Sequence, residues 1–260
     1  LFASVGLVAI KAVGNLGAEA VAAVGTGQRI FWVFQALLMA IMAGTTALVA
    51  RAIGGNDPVE AAQVTRASLG LCLFISVITA LIFWLGAEQM IGIFGLDENS
   101  QKLSIQYTII LVTFTPVFAI SMVLSTAQRA AGDTRTPLYI AVFTNILNIF
   151  LLVGLVNGRF GLPDLGIVGA ALAAGISFTF NSFVILFLWF TKRLAIEIGT
   201  PGSMTKERMK QLVSISYPAG MESFIFQFGM LAFFWIVALY GTNAVAAYNI
   251  GTNVLMLSFT

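Results

Sequence analysis

The chain has no histidine, a single cysteine and few charges, and each shortage removes a class of function. Without histidine there is no imidazole metal ligand, no imidazole proton relay and no Ser-His or Cys-His dyad. Cys72 stands alone inside an apolar run, so no intramolecular disulfide can form. Charged residues make up 9% of the 260 residues, against roughly 25% in an ordinary soluble domain. So few charges cannot cover a water-facing surface. A net charge of +2, with no basic stripe, zinc spacing or aromatic-basic interleaving, excludes nucleic acid as a partner. Apolar residues account for 59% of the chain, and they must face lipid or one another.

What is present is a series of long uncharged runs at residues 30–50, 67–87, 103–128, 136–158 and 165–191. Each supplies the roughly 20 apolar residues needed to cross a ~30 Å hydrocarbon core. Residues 1–14 form a shorter candidate interrupted by Lys11, residues 212–239 another interrupted by Glu222, and residues 244–260 begin one more. Backbone groups in lipid must be satisfied within their own segment, so these runs are predicted to be helices. A barrel would need short alternating strands, which the sequence lacks. The expected fold is all-α, an integral membrane helical bundle. Leu1 is not a methionine and opens inside an apolar run, so the chain is expected to be truncated there as well as at residue 260.

The connectors carry helix punctuation. Gly54-Gly55 can end one helix, and Asp57-Pro58-Val59-Glu60 then reads as a capping box. Thr136 before Pro137 reads as another N-cap. The longest polar linker covers residues 192–211, and residues 205–213 within it suggest a short amphipathic surface helix. This predicts six spans in residues 1–191, a linker at 192–211, and a second bundle beginning at 212–260. One set of alternate connectors holds Arg51, Arg66, Arg129, Arg135, Lys192, Arg193, Lys206, Arg208 and Lys210; the other holds Lys11, Arg29, Lys102 and Arg159. The positive-inside rule puts the first set, with the linker, in the cytoplasm of a multi-pass protein of the plasma or inner membrane. Residues 18–23 then lie outside.

The sequence also repeats. Residues 17–27 read GAEAVAAVGTG and residues 241–251 read GTNAVAAYNIG, agreeing at Gly17/Gly241, Ala20/Ala244, Val21/Val245, Ala22/Ala246, Ala23/Ala247 and Gly27/Gly251. An even number of spans separates the copies. The repeats are therefore parallel, an arrangement common in transporters.

The segments LGAEAVAAVGTGQRI at 16–30, GTTALVARAIGGND at 44–57, QRAAGDTRTPLYI at 128–140, GIVGAALA at 166–173 and YPAGMES at 217–223, with the second repeat copy, resemble the multidrug and toxic compound extrusion (MATE) family. The resemblance spans the chain in order and looks closest to the DinF-like branch. It implies two six-helix lobes around a central cavity, with this chain carrying the six-helix first lobe and the start of the second. It further implies export of organic, often cationic, compounds against a sodium or proton gradient, with no other cofactor.

Glu222 is the sharpest candidate residue. It lies ten residues into its span, about 15 Å at ~1.5 Å per residue, near the midplane. An ionisable group there costs about 2.5–3.5 kcal/mol on insertion scales, which makes a functional role the default. A protonated carboxyl tying two helices together is the alternative. In the DinF-like pattern a glutamate follows a proline by four residues, as Glu222 follows Pro218, and the resemblance implies cation coupling there. Asn145 and Asn148 share a helix face three residues apart, Asn181 lies on the next span and Gln227 follows Glu222. These amides are candidates to line the cavity or to act as interhelical glue. Relatives often carry aspartates at the positions of Ala9 and Leu152, so the resemblance places no carboxylate in the first lobe. Pro116 interrupts its span as a hinge or a static kink. Lys11 is expected to snorkel toward the outer interface. Phe31, Trp32, Phe34, Phe178 and Phe180 could stack on a flat cation or simply pack.

The leading reading is a secondary active antiporter, not an enzyme. It would move a small organic substrate through the bilayer by alternating access, together with the remainder of its second lobe. A lipid-linked precursor flippase of related architecture would be expected to carry several basic cavity residues, whereas only Lys11 interrupts a span. An intramembrane enzyme would need a nucleophile, base or metal cluster in the spans, and there is no HExxH motif or paired aspartate.

Overall fold

The computed structural model describes residues 11–92, 94, 98–196 and 205–239. All regular structure among them is helical. Residues 11–14 are helical and lead into α1 (Ala18–Gly54), α2 (Pro58–Gly92), α3 (Glu98–Thr113), α4 (Thr115–Ala130), α5 (Arg135–Asn157), α6 (Gly166–Phe190) and α7 (Lys206–Leu239). The expected helices over most of residues 1–14 and 244–260, the second repeat copy and the middle of the linker lie outside the described residues. The integral membrane reading holds. Four helices, α1, α2, α5 and α6, are long and apolar enough to cross a bilayer, and α3 with α4 makes a fifth span bent by 47°.

Several boundaries differ from the sequence reading. The second span was expected at 30–50, but α1 begins at Ala18 and takes in both residues 18–23 and Arg29. Charge-free runs locate the hydrocarbon crossing, whereas helices continue into the interface. A helix of 37 residues is about 55 Å long at ~1.5 Å per residue, well beyond a ~30 Å core. For the same reason the surface helix expected at 205–213 is no separate element; it is the opening of α7.

The caps differ in detail too. Asp57 caps α2 as expected, its Oδ1 accepting from the Glu60 N–H at 2.9 Å. The Glu60 carboxylate does not return to close a capping box; it pairs with Arg208. At the start of α5 the N-cap position is Thr134 and not Thr136, and the capping side chain comes from Asp133 just before it. Asp133 Oδ1 accepts from the Thr136 N–H at 3.0 Å, because a carboxylate accepts a backbone hydrogen bond at a helix start better than a hydroxyl one turn inside it.

The central element is α1, which packs against α2, α3, α4 and α7. The bent span contacts α1, α2 and α6, and α5 with α6 forms a tight hairpin. Small residues let backbones approach. At Gly169 a Cβ would strike the Leu155 carbonyl, and at Gly175 it would strike the Phe114 ring. Phe114 sits at the break between α3 and α4, so the notch at Gly175 seats the bend. Ser182 on α6 donates to the Val117 carbonyl just beyond the break. Pro116, lacking an N–H, lies at the start of α4. Outward-facing side chains such as Phe74, Leu85, Phe143 and Phe183 are exposed, as lipid-facing positions must be. Cys72 is buried in the core shared by α1, α2 and α4.

Candidate functional site

Inside the bundle, polar side chains need partners, and backbone carbonyls one turn back supply many of them. Thr45, Thr65, Thr79 and Thr108 each donate to a carbonyl four residues earlier. The seam between α5 and α6 is different. Asn148 donates from Nδ2 to Ser177 Oγ at 3.2 Å, and Ser177 donates on to the Ala173 carbonyl at 2.7 Å. The helices are antiparallel. One turn toward the Arg135 end of α5, Thr144 therefore comes opposite Asn181. Thr144 Oγ1 and Asn181 Oδ1 are both buried without a hydrogen-bond partner among the described residues. Buried polar atoms are rarely left unpaired, so this stretch of the seam has acceptor capacity to spare. Asn145 lies on the same helix, partly buried.

The proposed first-lobe amides thus split. Asn148 and Asn181 share one seam through Ser177 and Thr144, which sequence reasoning did not single out. Their signal was the matching four-residue spacing, Thr144 to Asn148 and Ser177 to Asn181. Leu152, where relatives often carry an aspartate, is buried and apolar in the core beside Ala171 and Ala173. No group of histidine, cysteine or acidic residues able to hold a metal occurs among the described residues.

The aromatic set divides as well. Phe31 and Phe178 are parallel within 8° at 6.4 Å between ring centres, and Phe118 packs against Phe178 at 4.6 Å. Phe118 escaped the sequence reading because it sits two residues past Pro116 with no pattern to mark it. Phe34 packs edge-on to Phe83 at 6.1 Å, Trp32 is exposed, and Phe180 lines a shallow groove with Tyr139, Phe143 and Val184. Lys11 is exposed.

Glu222 is exposed on α7. The face that α7 turns to α1 carries Leu212, Ser216 and Gly220, which lie against Gly44 and Ala40. At about 100° per residue, Glu222 is roughly 200° around the helix from Gly220. The carboxylate therefore points away from α1, and the structure does not bring it to the asparagines of α5 and α6. The side chain of Gln227 lies outside what is described.

Comparisons with known proteins bear on the whole arrangement. The chain is 32% identical over 250 residues to the probable multidrug resistance protein NorM of Thermotoga maritima, covering 95% of this chain and 53% of that protein. It superposes with a TM-score of 0.88 at 25% identity on a structure described as the outward-facing conformation of a multidrug resistance MATE family transporter of the MOP superfamily, covering 98% of this chain and 56% of that one. The inward-facing conformation gives 0.81 at 25% identity, covering 97% and 57%. The chain spans about half the length of the curated relatives it matches. The MatE family model matches residues 1–153, more than half of this chain, and the chain belongs to the MatE family.

Proposed function

We propose that the full-length protein is a secondary active antiporter. It exports organic, cationic compounds in exchange for sodium or protons by alternating access. The protein sits in the plasma or inner membrane with residues 192–211 in the cytoplasm, and transports rather than transforms its substrate. Residues 1–191 form the first lobe, and residues 212–260 begin the second. The observation that carries this reading is the placement of Glu222 on the face of α7 turned from α1, in a chain of the MatE family. A carboxylate on that face is positioned for the remainder of the second lobe to enclose. Enclosed there, it would bind a proton, sodium or a cationic substrate in turn. Coupling follows if cation and substrate favour different conformations.

The seam of Asn148, Ser177, Thr144 and Asn181 supplies neutral acceptors and no charge, so it suits substrate hydrogen bonding better than coupling. Efflux of a fluorescent cation from cells expressing the full-length protein tests the proposal. Glu222→Gln preserves size and removes the charge. The variant is expected to reach the membrane normally and lose gradient-driven efflux. Normal efflux with unchanged sodium and pH dependence would reduce Glu222 to a structural role.

A further inference from the structure

The openings of α2 and α7 lie 148 residues apart in sequence and are joined by a forked ion pair. Arg208 donates from Nε to Glu60 Oε1 at 3.2 Å and from Nη2 to Glu60 Oε2 at 2.6 Å. The same Nη2 donates to Gln63 Oε1 at 2.6 Å. The Arg208 side chain is 14% exposed and that of Glu60 38%. Thr205 holds the arginine's own helix start, its Oγ1 accepting from the Arg208 N–H. Fork-to-fork geometry of this kind fixes direction as well as distance.

Deeper along the same interface, α7 meets α1 through small residues. Gly44 lies so close to Ser216 and Leu212 that it has no room for a Cβ, and a Cβ at Gly220 would be 3.2 Å from that of Ala40. Leu212 and Ser216 are buried. Within a membrane such a seam gains packing but little hydrophobic driving force. Parting it would uncover Leu212 along with the small residues, and the polar clamp at its end is the directional element. The chain as a whole superposes on the outward-facing relative at a TM-score of 0.88 and on the inward-facing one at 0.81.

We propose that Arg208, Glu60 and Gln63 form a latch that holds the linker side of the transport path closed in the outward-facing form. Each cycle must break it, and its strength sets how often that side opens. Gln63 positions the guanidinium by taking a second hydrogen bond from the nitrogen that grips Glu60. The inference rests on the alternating-access reading.

The test uses the full-length protein in nanodiscs, with Cys72→Ala and a reporter cysteine at Ala40→Cys inside the seam. The rate of modification by a water-soluble maleimide reads opening. Glu60→Gln and Arg208→Gln are each expected to speed labelling about tenfold, the loss of a charge-assisted hydrogen bond pair. The swap of Glu60→Arg with Arg208→Glu should bring the rate back to near that of the parent. Should the arginine variants not fold, Glu60→Gln and Gln63→Ala carry the same expectation. Unchanged labelling in the single variants would overturn the latch. So would faster labelling accompanied by an equal rise at a reporter placed by Asp164→Cys on the opposite end and a lower unfolding temperature, since that pattern marks ordinary structural loosening. Efflux by the parent protein is measured separately. A latch that responds in a protein exporting nothing would leave the latch standing and sink the transport reading.

Discussion

Gln128 is fully buried at the end of α4, and its Oε1 accepts from the Ala195 N–H at 2.9 Å, tying the start of the linker to the bundle. Its Nε2 is buried and unpartnered among the described residues. Replacing it by leucine removes one bond but also one unpaired donor, and Ala195 is exposed so that water can take over. Gln128→Leu is therefore expected to change stability by less than about 1 kcal/mol, whereas Gln128→Glu buries a charge and should cost about 3 kcal/mol or more. Thermal unfolding of the two variants side by side checks the order. A second residue-scale expectation concerns Glu222→Asp, which keeps the charge but withdraws it by one methylene; efflux should fall between the parent and Glu222→Gln. These residues also mark what a sequence discloses at this scale. Glu222 stands out because a charge in an apolar run is conspicuous by itself. Glu60 does not, because a local pattern, the capping box, already explains it. Its actual partner lies 148 residues away, and only the packing of α7 on α1 and α2 brings the two together.

At the scale of elements, hydropathy located the four long apolar helices and the bent pair of α3 and α4, but it could not locate the helix ends. Charges stop an apolar run without stopping a helix, as Arg29 within α1 and the Lys206 start of α7 show. The span expected at 103–128 carried its own warning in Pro116, yet the break falls at Phe114. What places it there is the notch at Gly175 and the Ser182 bond to Val117, contacts made by α6 and invisible in the local sequence. Because those two contacts hold the bend from outside, Pro116→Ala is expected to keep both the bend and an efflux rate within about twofold of the parent, the new N–H adding at most about 1 kcal/mol. A much larger loss of efflux would make Pro116 a working hinge. Connector orientation is a further expectation at this scale. With Cys72 removed, cysteines at Asn56 and Thr134 should react only with membrane-permeant thiol reagents in intact cells, and one at Asp164 should react with an impermeant reagent. Labelling of Asn56 from outside would invert the topology.

For the whole molecule, the described helices form a bundle around α1, and α7 packs on α1 and α2. Its Leu212, Ser216 and Gly220 face meets α1, and the side bearing Glu222, Ile225 and Phe226 is exposed. Ile225 and Phe226 could face lipid at little cost, but an ionised Glu222 could not. On the reading proposed here, that side belongs against helices of the second lobe, which would also supply the opposite wall of the transport path. Residues 1–260 expressed alone should still insert, since each long apolar span can do so independently, and should confer no resistance to a toxic cation. Glu222→Gln should then make the isolated segment accumulate to a higher level in the membrane, because the neutral amide costs less than the carboxylate against lipid; in the full-length protein the same substitution should leave the level unchanged. The comparison of the two amounts by immunoblot separates a carboxylate that lacks its enclosing helices from one that is tolerated anywhere. Resistance conferred by residues 1–260 would require two copies to pair through their α7 faces, which a concentration-dependent dimer in detergent would reveal; resistance from a strict monomer would refute the two-lobe path altogether.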